Sequence, residues 1–337
     1  MSNEAAPLAP WLAVQRDRLL AQRGHAWLLQ GASGLGQYDL ALSLARAWLC
    51  EAPTGQGACG QCGSCHAIDV RTHADLAVLM PETRMMETGW PLSEKAQQEI
   101  DDKKRKPSNE IRVEALRDAV EFSQRTSARG RGKAVLVFPA ERMNTISANA
   151  LLKTLEEPPG DVKFVLASEA AHLLLPTIRS RCLGHAMVWP AQGEALAWLI
   201  AQGVAEADAP VLLRAAGGRP ADALRDWNAG RRAKTWSLLP RAMSRGDVAA
   251  ISDQAPSDAV ETLHKLCHDL MAVEAGAGPR FFDAADLPRP PSRRALGVWS
   301  KSLAQAGRTS EHPFNAGLML ESLVSEARKV LNSRAIP

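Results

Sequence analysis

Gly31-Ala32-Ser33-Gly34-Leu35-Gly36-Gln37-Tyr38 has the outline of a phosphate-binding loop with its chemistry removed. In the working pattern, G-x-x-x-x-G-K-[ST], backbone N–H groups cradle phosphates, the Lys reaches the outer phosphates and the hydroxyl binds Mg²⁺. Gly31 and Gly36 keep the spacing. The Lys position holds neutral Gln37, and the hydroxyl position holds Tyr38, whose phenol sits far from its backbone. Gly31, Gly34, Gly36, Gln37 and Tyr38 therefore form a degenerate loop in which no ATP is expected. Its N–H donors alone can still attract an anion.

The loop joins a strand to a helix, and its neighbours fit that frame. His25–Gln30 (HAWLLQ) reads as the strand, and Asp39–Cys50 as the helix after it. An amphipathic helix over 11–23 precedes them. Ala74–Met80, Ala134–Phe138 and Lys163–Ala167 read as further strands, Ala134–Phe138 of the continuous, buried type. Helices over 111–124 and 149–156 alternate with them, the second stopped by Pro158-Pro159. Strands alternating with helices imply a parallel sheet covered on both faces. Residues 81–110 are polar and charged, with Lys103-Lys104-Arg105-Lys106 near their end, and read as a mobile, solvated insertion. Residues 190–225 offer helices punctuated by Gly and Pro. From 230 to 335 the pattern is helical, broken by the Pro-rich stretch 287–292.

The chain has 337 residues, 46% hydrophobic and 23% charged, which suits a globular protein of two or three domains. No apolar run approaches the ~20 residues of a membrane span. The start, MSNEAAPLAPWLAVQRD, lacks the basic-then-apolar pattern of a signal peptide, so a cytoplasmic location is expected. A net charge of +3 permits contact with nucleic acid without arguing for it.

Cys50, Cys59, Cys62 and Cys65 are spaced C-x₈-C-x₂-C-x₂-C. Four thiolates close a tetrahedral Zn²⁺ shell with no position left for water, so a structural metal site is expected. An iron–sulfur cluster takes the same ligands. His66 is a possible substitute for one Cys, and four unliganded thiols are the bland alternative.

A carboxylate should end the strand 134–138 if it held Mg²⁺ in a nucleotide site. Phe138 and Pro139 stand there, and Glu141 lies beyond the strand end. Two nucleotide-site elements are thus missing, in the right order on strands. A third element, Thr177-Ile-Arg179-Ser180-Arg181-Cys182, carries an always-charged fork suited to phosphate oxygens. By itself Arg181 reads as readily as a surface ion-pair residue.

The run Asn144-Thr-Ile-Ser-Ala-Asn149-Ala-Leu-Leu-Lys153-Thr-Leu-Glu156-Glu157-Pro158-Pro159, followed by Leu175-Pro-Thr-Ile-Arg-Ser180-Arg181-Cys182, resembles the clamp-loader branch of the AAA+ family. Its members also place a Cys cluster between the loop helix and the next strand. The likeness covers about residues 5–225 through motifs. It implies an α/β RecA-like AAA+ domain with a parallel sheet over 1–168, carrying the zinc module at 50–65. A small helical lid over 169–210 and an all-α collar over 211–337 would follow. The resemblance implies a hetero-pentamer with gamma or tau motor subunits and a clamp-opening delta subunit, acting on a sliding clamp and primed DNA within the DNA polymerase III holoenzyme. Arg181, between Ser180 and Cys182, would be an arginine finger serving a neighbour's ATP site. Zn²⁺ on Cys50, Cys59, Cys62 and Cys65 would be structural, and no independent ATPase is expected. In motor subunits an Arg follows the Gly-Gly turn of the lid. Here the place falls on Ala221 in Gly217-Gly218-Arg219-Pro220-Ala221-Asp222, and Arg219 is not assigned the role. An ATP-hydrolysing motor subunit and a zinc-ribbon nucleic-acid binder are the alternatives. Gln37, Tyr38 and Phe138 weigh against the first, and the absence of basic residues around Gly55–Gln61 against the second.

Overall fold

The computed structural model describes residues 8–309 and 315–333. The first seven residues of the quoted start and the last four of the collar range lie outside them. Among the described residues, no helix is long and apolar enough to cross a membrane. The chain divides into two compact units, Met1–Pro190 and Ala191–Pro337.

The first unit is a parallel sheet with helices on both faces. In chain order it contains α1 (Pro10–Leu20), β1 (Ala26–Gln30), α2 (Gln37–Leu49), α3 (Gly63–Asp69) and β2 (Leu76–Leu79). Then come α4 (Glu82–Thr88), α5 (Glu94–Asp101), α6 (Val113–Gln124), β3 (Lys133–Val137) and α7 (Thr145–Glu156). It closes with β4 (Val162–Ser168), α8 (Pro176–Arg179) and β5 (Leu183–Ala186). The strand order is β2-β3-β4-β1-β5. Every pairing is parallel, with Ala26 opposite Phe164, Val135 opposite Phe164 and Trp27 opposite Leu183. This is the RecA-like arrangement that the resemblance implies.

Strand alternation supplies both faces of the core. Val135 and Val137 pack with Leu116 of α6 and Leu151 and Leu155 of α7. Ala134, pointing the other way, packs with Ala45 and Leu49 of α2 and Ile68 of α3. β5 was not expected. It is a four-residue edge strand containing Gly184, mostly exposed, and its pairing with β1 carries the first unit past 168 to Pro190.

The segment 81–110 differs from its expectation. It is folded into α4 and α5, and Glu82 and Arg105 pair within it, while Lys103, Lys104 and Lys106 are exposed as expected. The second unit holds two cores. Leu199, Leu212, Leu213 and Ala223 join α9 (Gln192–Ala201), α10 (Ala209–Ala215) and α11 (Pro220–Asn228). Trp236, Leu263, Leu270, Trp299 and Leu323 join α12 (Ala233–Arg245), α13 (Pro256–Glu274), α14 (Arg293–Thr309) and α15 (Ala316–Leu331).

Candidate functional site

β1 delivers the loop to the carboxyl edge of the sheet, where open parallel sheets bind ligands. The Gly31 N–H donates to the Ser168 carbonyl at the end of β4, 3.2 Å away. Gly36 caps α2 with φ 91°, in the left-handed region, and a Cβ there would stand 2.6 Å from Leu12 Cδ1. Only glycine meets both conditions. Trp11 also reaches the loop, its indole N–H donating to the Leu35 carbonyl at 3.3 Å.

Gln37 turns inward and is 2% exposed. Its Nε2 donates to the carbonyls of Gly31 at 3.1 Å and Ala32 at 2.6 Å. The side chain at the Lys position thus satisfies its own loop instead of a phosphate. Tyr38 accepts a hydrogen bond from Trp90 Nε1 at 2.6 Å, and its ring lies 5.6 Å from that of Phe138. Burial pushes the Tyr38 phenol up, against the lowering pull of the Trp90 N–H. Glu141 is engaged at the end of β4. Its carboxylate accepts from Ser168 Oγ at 2.7 Å and from the Glu169 N–H at 3.1 Å. At this edge two rings and a neutral amide stand where a working loop has an ammonium, a hydroxyl and a metal-binding carboxylate.

Arg181 lies at the opposite, amino edge, just before β5. Leu174 and Ile178 are buried and pin α8, leaving Arg179 and Ser180 exposed and Arg181 half-buried. Arg181 donates through Nε at 3.2 Å and Nη2 at 3.1 Å to Glu156 Oε2, and through Nη1 to the Thr177 carbonyl at 3.0 Å. Glu156 ends α7, whose start is capped by Asn144 and whose end precedes Pro158. Ser180 Oγ donates to the Thr177 carbonyl at 3.2 Å. Cys182 packs against the core, and burial pushes its thiol up to about 12. In the second unit, Arg219 is committed to the Ala216 carbonyl at 2.7 Å and to Asp222 at 3.1 Å.

The four cysteines converge at the end of α2 and the start of α3. Their sulfurs all lie within 4.8 Å of one another, and Cys50–Cys62 and Cys50–Cys65 are each 3.8 Å apart. Tetrahedral Zn–S bonds of about 2.3 Å put sulfurs about 3.8 Å apart, so the donor set fits that ion. The Cys65 N–H points at Cys62 Sγ (3.4 Å) and the Cys59 N–H at Cys50 Sγ (3.2 Å). Burial opposes charge on Cys62, but the N–H groups of Cys65 and Glu51, with the thiols of Cys65 and Cys59, outweigh it and lower the thiol to about 6. Burial pushes the Cys65 thiol up to about 12. His66 is exposed and stands outside the group among the described residues.

Sequence reasoning missed the residues that tie this module to the sheet. Glu51 accepts from Ser64 N (3.0 Å), Ser64 Oγ (2.9 Å) and Arg129 Nη1 (2.8 Å). Asp75, fully buried, gathers the 127–133 turn. It accepts from Ser127 Oγ at 3.0 Å, the N–H groups of Ala128 at 2.8 Å and Arg129 at 2.9 Å, and Lys133 Nζ at 3.1 Å. A carboxylate just before a strand carried no signal of this in the sequence.

A family model described as DNA polymerase III, delta subunit, matches residues 14–187. The delta-prime subunit of DNA polymerase III from Escherichia coli is 33% identical over 296 residues, spanning 83% of this chain and 80% of that protein. The chain belongs to the DNA polymerase III delta-prime family. The Pseudomonas aeruginosa delta-prime subunit is 39% identical over 225 residues, 65% of this chain, and the match spans 61% of that relative's length. The tau subunit of Escherichia coli DNA polymerase III is 34% identical over 171 residues, 51% of this chain and 23% of that protein.

Proposed function

We propose that this chain is a clamp-loader subunit that hydrolyses no nucleotide itself and supplies Arg181 to a neighbouring motor subunit's ATP site. The observation that carries the reading is Gln37, whose buried amide is spent on the carbonyls of its own loop. Family membership supports the setting: a hetero-pentamer with gamma or tau motor subunits and a delta subunit, loading the sliding clamp on primed DNA in the cytoplasm. Within it, the first unit is the AAA+ module. In the second, we place the lid on α9–α11 instead of 169–210, and the collar on α12–α15 instead of 211–337, a division the two separate cores support. An ATP-hydrolysing motor role finds no supporting group at Gln37, Tyr38 or Phe138.

Arg181→Ala in the reconstituted loader tests the trans role. ATP hydrolysis at the served site should fall by about 10³ or more. Arg181→Lys should rescue poorly, because an ammonium lacks the planar fork. Hydrolysis and clamp loading within about twofold of wild type reject the reading.

Cys50, Cys59, Cys62 and Cys65 would hold one Zn²⁺ as a cross-link between α2 and α3, and the ion would supply fold stability only. Metal analysis of the purified chain should give one zinc per chain, lost in Cys59→Ser/Cys62→Ser. A folded, metal-free chain with four reactive thiols excludes it, and visible charge-transfer absorption would assign iron–sulfur instead.

A further inference from the structure

Residues 81–112 are folded at both their base and their tip. At the base, the Glu82 carboxylate, with 8% of the side chain exposed, takes Arg105 through Nη1 at 2.5 Å and Nη2 at 2.8 Å. It also pairs with Arg112 at 3.2 Å and accepts the Ser108 N–H at 2.8 Å. Arg105 Nε adds Glu99 at 2.7 Å. A bidentate, mostly buried carboxylate thereby clasps the two ends of the segment together.

The tip is the turn between α4 and α5. Gly89 caps α4 with φ 70°, and the Trp90 N–H closes back on the Met85 carbonyl at 2.8 Å. A left-handed cap turns the chain sharply, and the next side chain leaves the helix axis. Trp90 points inward, 8% exposed, and its indole N–H meets Tyr38 Oη. Tyr38 holds the position of the metal-binding hydroxyl, and Phe138, against its ring, ends the strand from which a metal-binding carboxylate would come. Arg71 lies over the Trp90 ring and Arg84 of α4 over the Phe138 ring, each at 5.6 Å. The cation faces of two side chains thus close a cluster of three rings.

We infer that the 81–112 segment is a built-in occupant of the vestigial nucleotide site, with Trp90 as its plug. A loop stripped of Lys and hydroxyl would leave a wet hollow beside Tyr38 and Phe138. Aromatic rings bury large areas, and a buried indole N–H finds a partner, here the phenol oxygen. The segment seals the hollow from within the chain and joins the loop helix to α4. The inference rests on reading residues 31–38 as a degenerate phosphate loop. It does not depend on the trans role of Arg181.

The test uses the full chain. Trp90→Ala should raise hydrogen exchange of the amides at 37–41 and 84–101 at least tenfold, while peptides from 50–69 stay unchanged. Unaltered exchange at 37–41 overturns the plug. Should Trp90→Ala not fold, Trp90→Phe keeps a ring and removes the donor. It should loosen the same amides less, and no change there overturns the inference equally. The second readout is MgADP titration of Gln37→Lys with and without Trp90→Ala. Removing Trp90 should tighten binding at least tenfold. Equal affinity in the two, including no binding in either at millimolar MgADP, overturns the inference. Both readouts use the isolated chain, so they stand or fall separately from the loader assay on Arg181.

Discussion

The vestigial loop site and the amino edge of the sheet treat their polar residues differently. At the carboxyl edge, Gln37 is satisfied by its own loop carbonyls and Tyr38 by Trp90 and Phe138, with no ion pair among these buried or half-buried side chains. At the amino edge, charge is kept: Asp75 with Lys133, Glu51 with Arg129, Glu156 with Arg181. The carboxyl edge is where parallel sheets ordinarily do chemistry. A chain that stops using that edge must still fill it, because a hollow lined by unpaired groups costs stability. The amino edge has no such vacancy, and its charges either brace the fold or face solvent. Burial separates those two cases, which makes the comparison breakable by mutation.

The largest effect belongs to Asp75. It is fully buried, and Lys133 beside it has 5% of its side chain exposed. Asp75→Ala would strand a buried ammonium and free three further donors, a loss of about 3–5 kcal/mol by analogy with broken buried pairs. Urea unfolding should show it, and a loss below about 1 kcal/mol would mean that the amino edge is not braced there. The pH dependence has a definite sign. Burial pushes the Asp75 carboxyl up, but the N–H groups of Ala128 and Arg129, with Lys133 and Ser127, outweigh it and hold it below the usual carboxylate range. A folded pKa below the unfolded value of about 3.9 stabilises at higher pH. That stabilisation is present above about pH 4 and disappears as pH falls through the depressed folded value. Asp75→Asn should therefore flatten the stability profile below about pH 4. An unchanged slope there would assign the acid sensitivity to other carboxylates.

Asp75 also marks where the sequence stops being legible. β1, β3 and β4 could be read because continuous apolar runs bounded by turn residues have few other uses. The four cysteines could be grouped because spacing alone brings sulfurs near one point. β5 could not: Leu183-Gly-His-Ala has no pattern, since an edge strand exposed on most positions needs none. The buried clasp within 81–112 was not legible, because Glu82 finds Arg105 and Arg112 only after two helices have formed between them. Trp90 meets Tyr38 across 52 positions, and no local signal foretells that. Type and spacing thus disclosed the degenerate loop, while what fills it depends on tertiary pairing.

The smallest effect separates the exposed pair from the buried one. Glu156 has 60% of its side chain exposed and Arg181 28%, so solvent screens their attraction. Surface pairs of this kind contribute about 0–1 kcal/mol. Glu156→Gln should shift unfolding by no more than about 0.5 kcal/mol, and Arg181 would keep its bond to the Thr177 carbonyl. In the reconstituted loader, hydrolysis should stay within a few-fold of wild type, unlike the collapse expected of Arg181→Ala. If Glu156→Gln abolished hydrolysis as completely, the carboxylate would be positioning the guanidinium. The amino edge would then be as preorganised as the carboxyl edge, and the contrast would lie in charge alone. Retained hydrolysis means that Glu156 holds Arg181 only loosely, as a group that must leave one carboxylate to reach a neighbour's phosphates should be held.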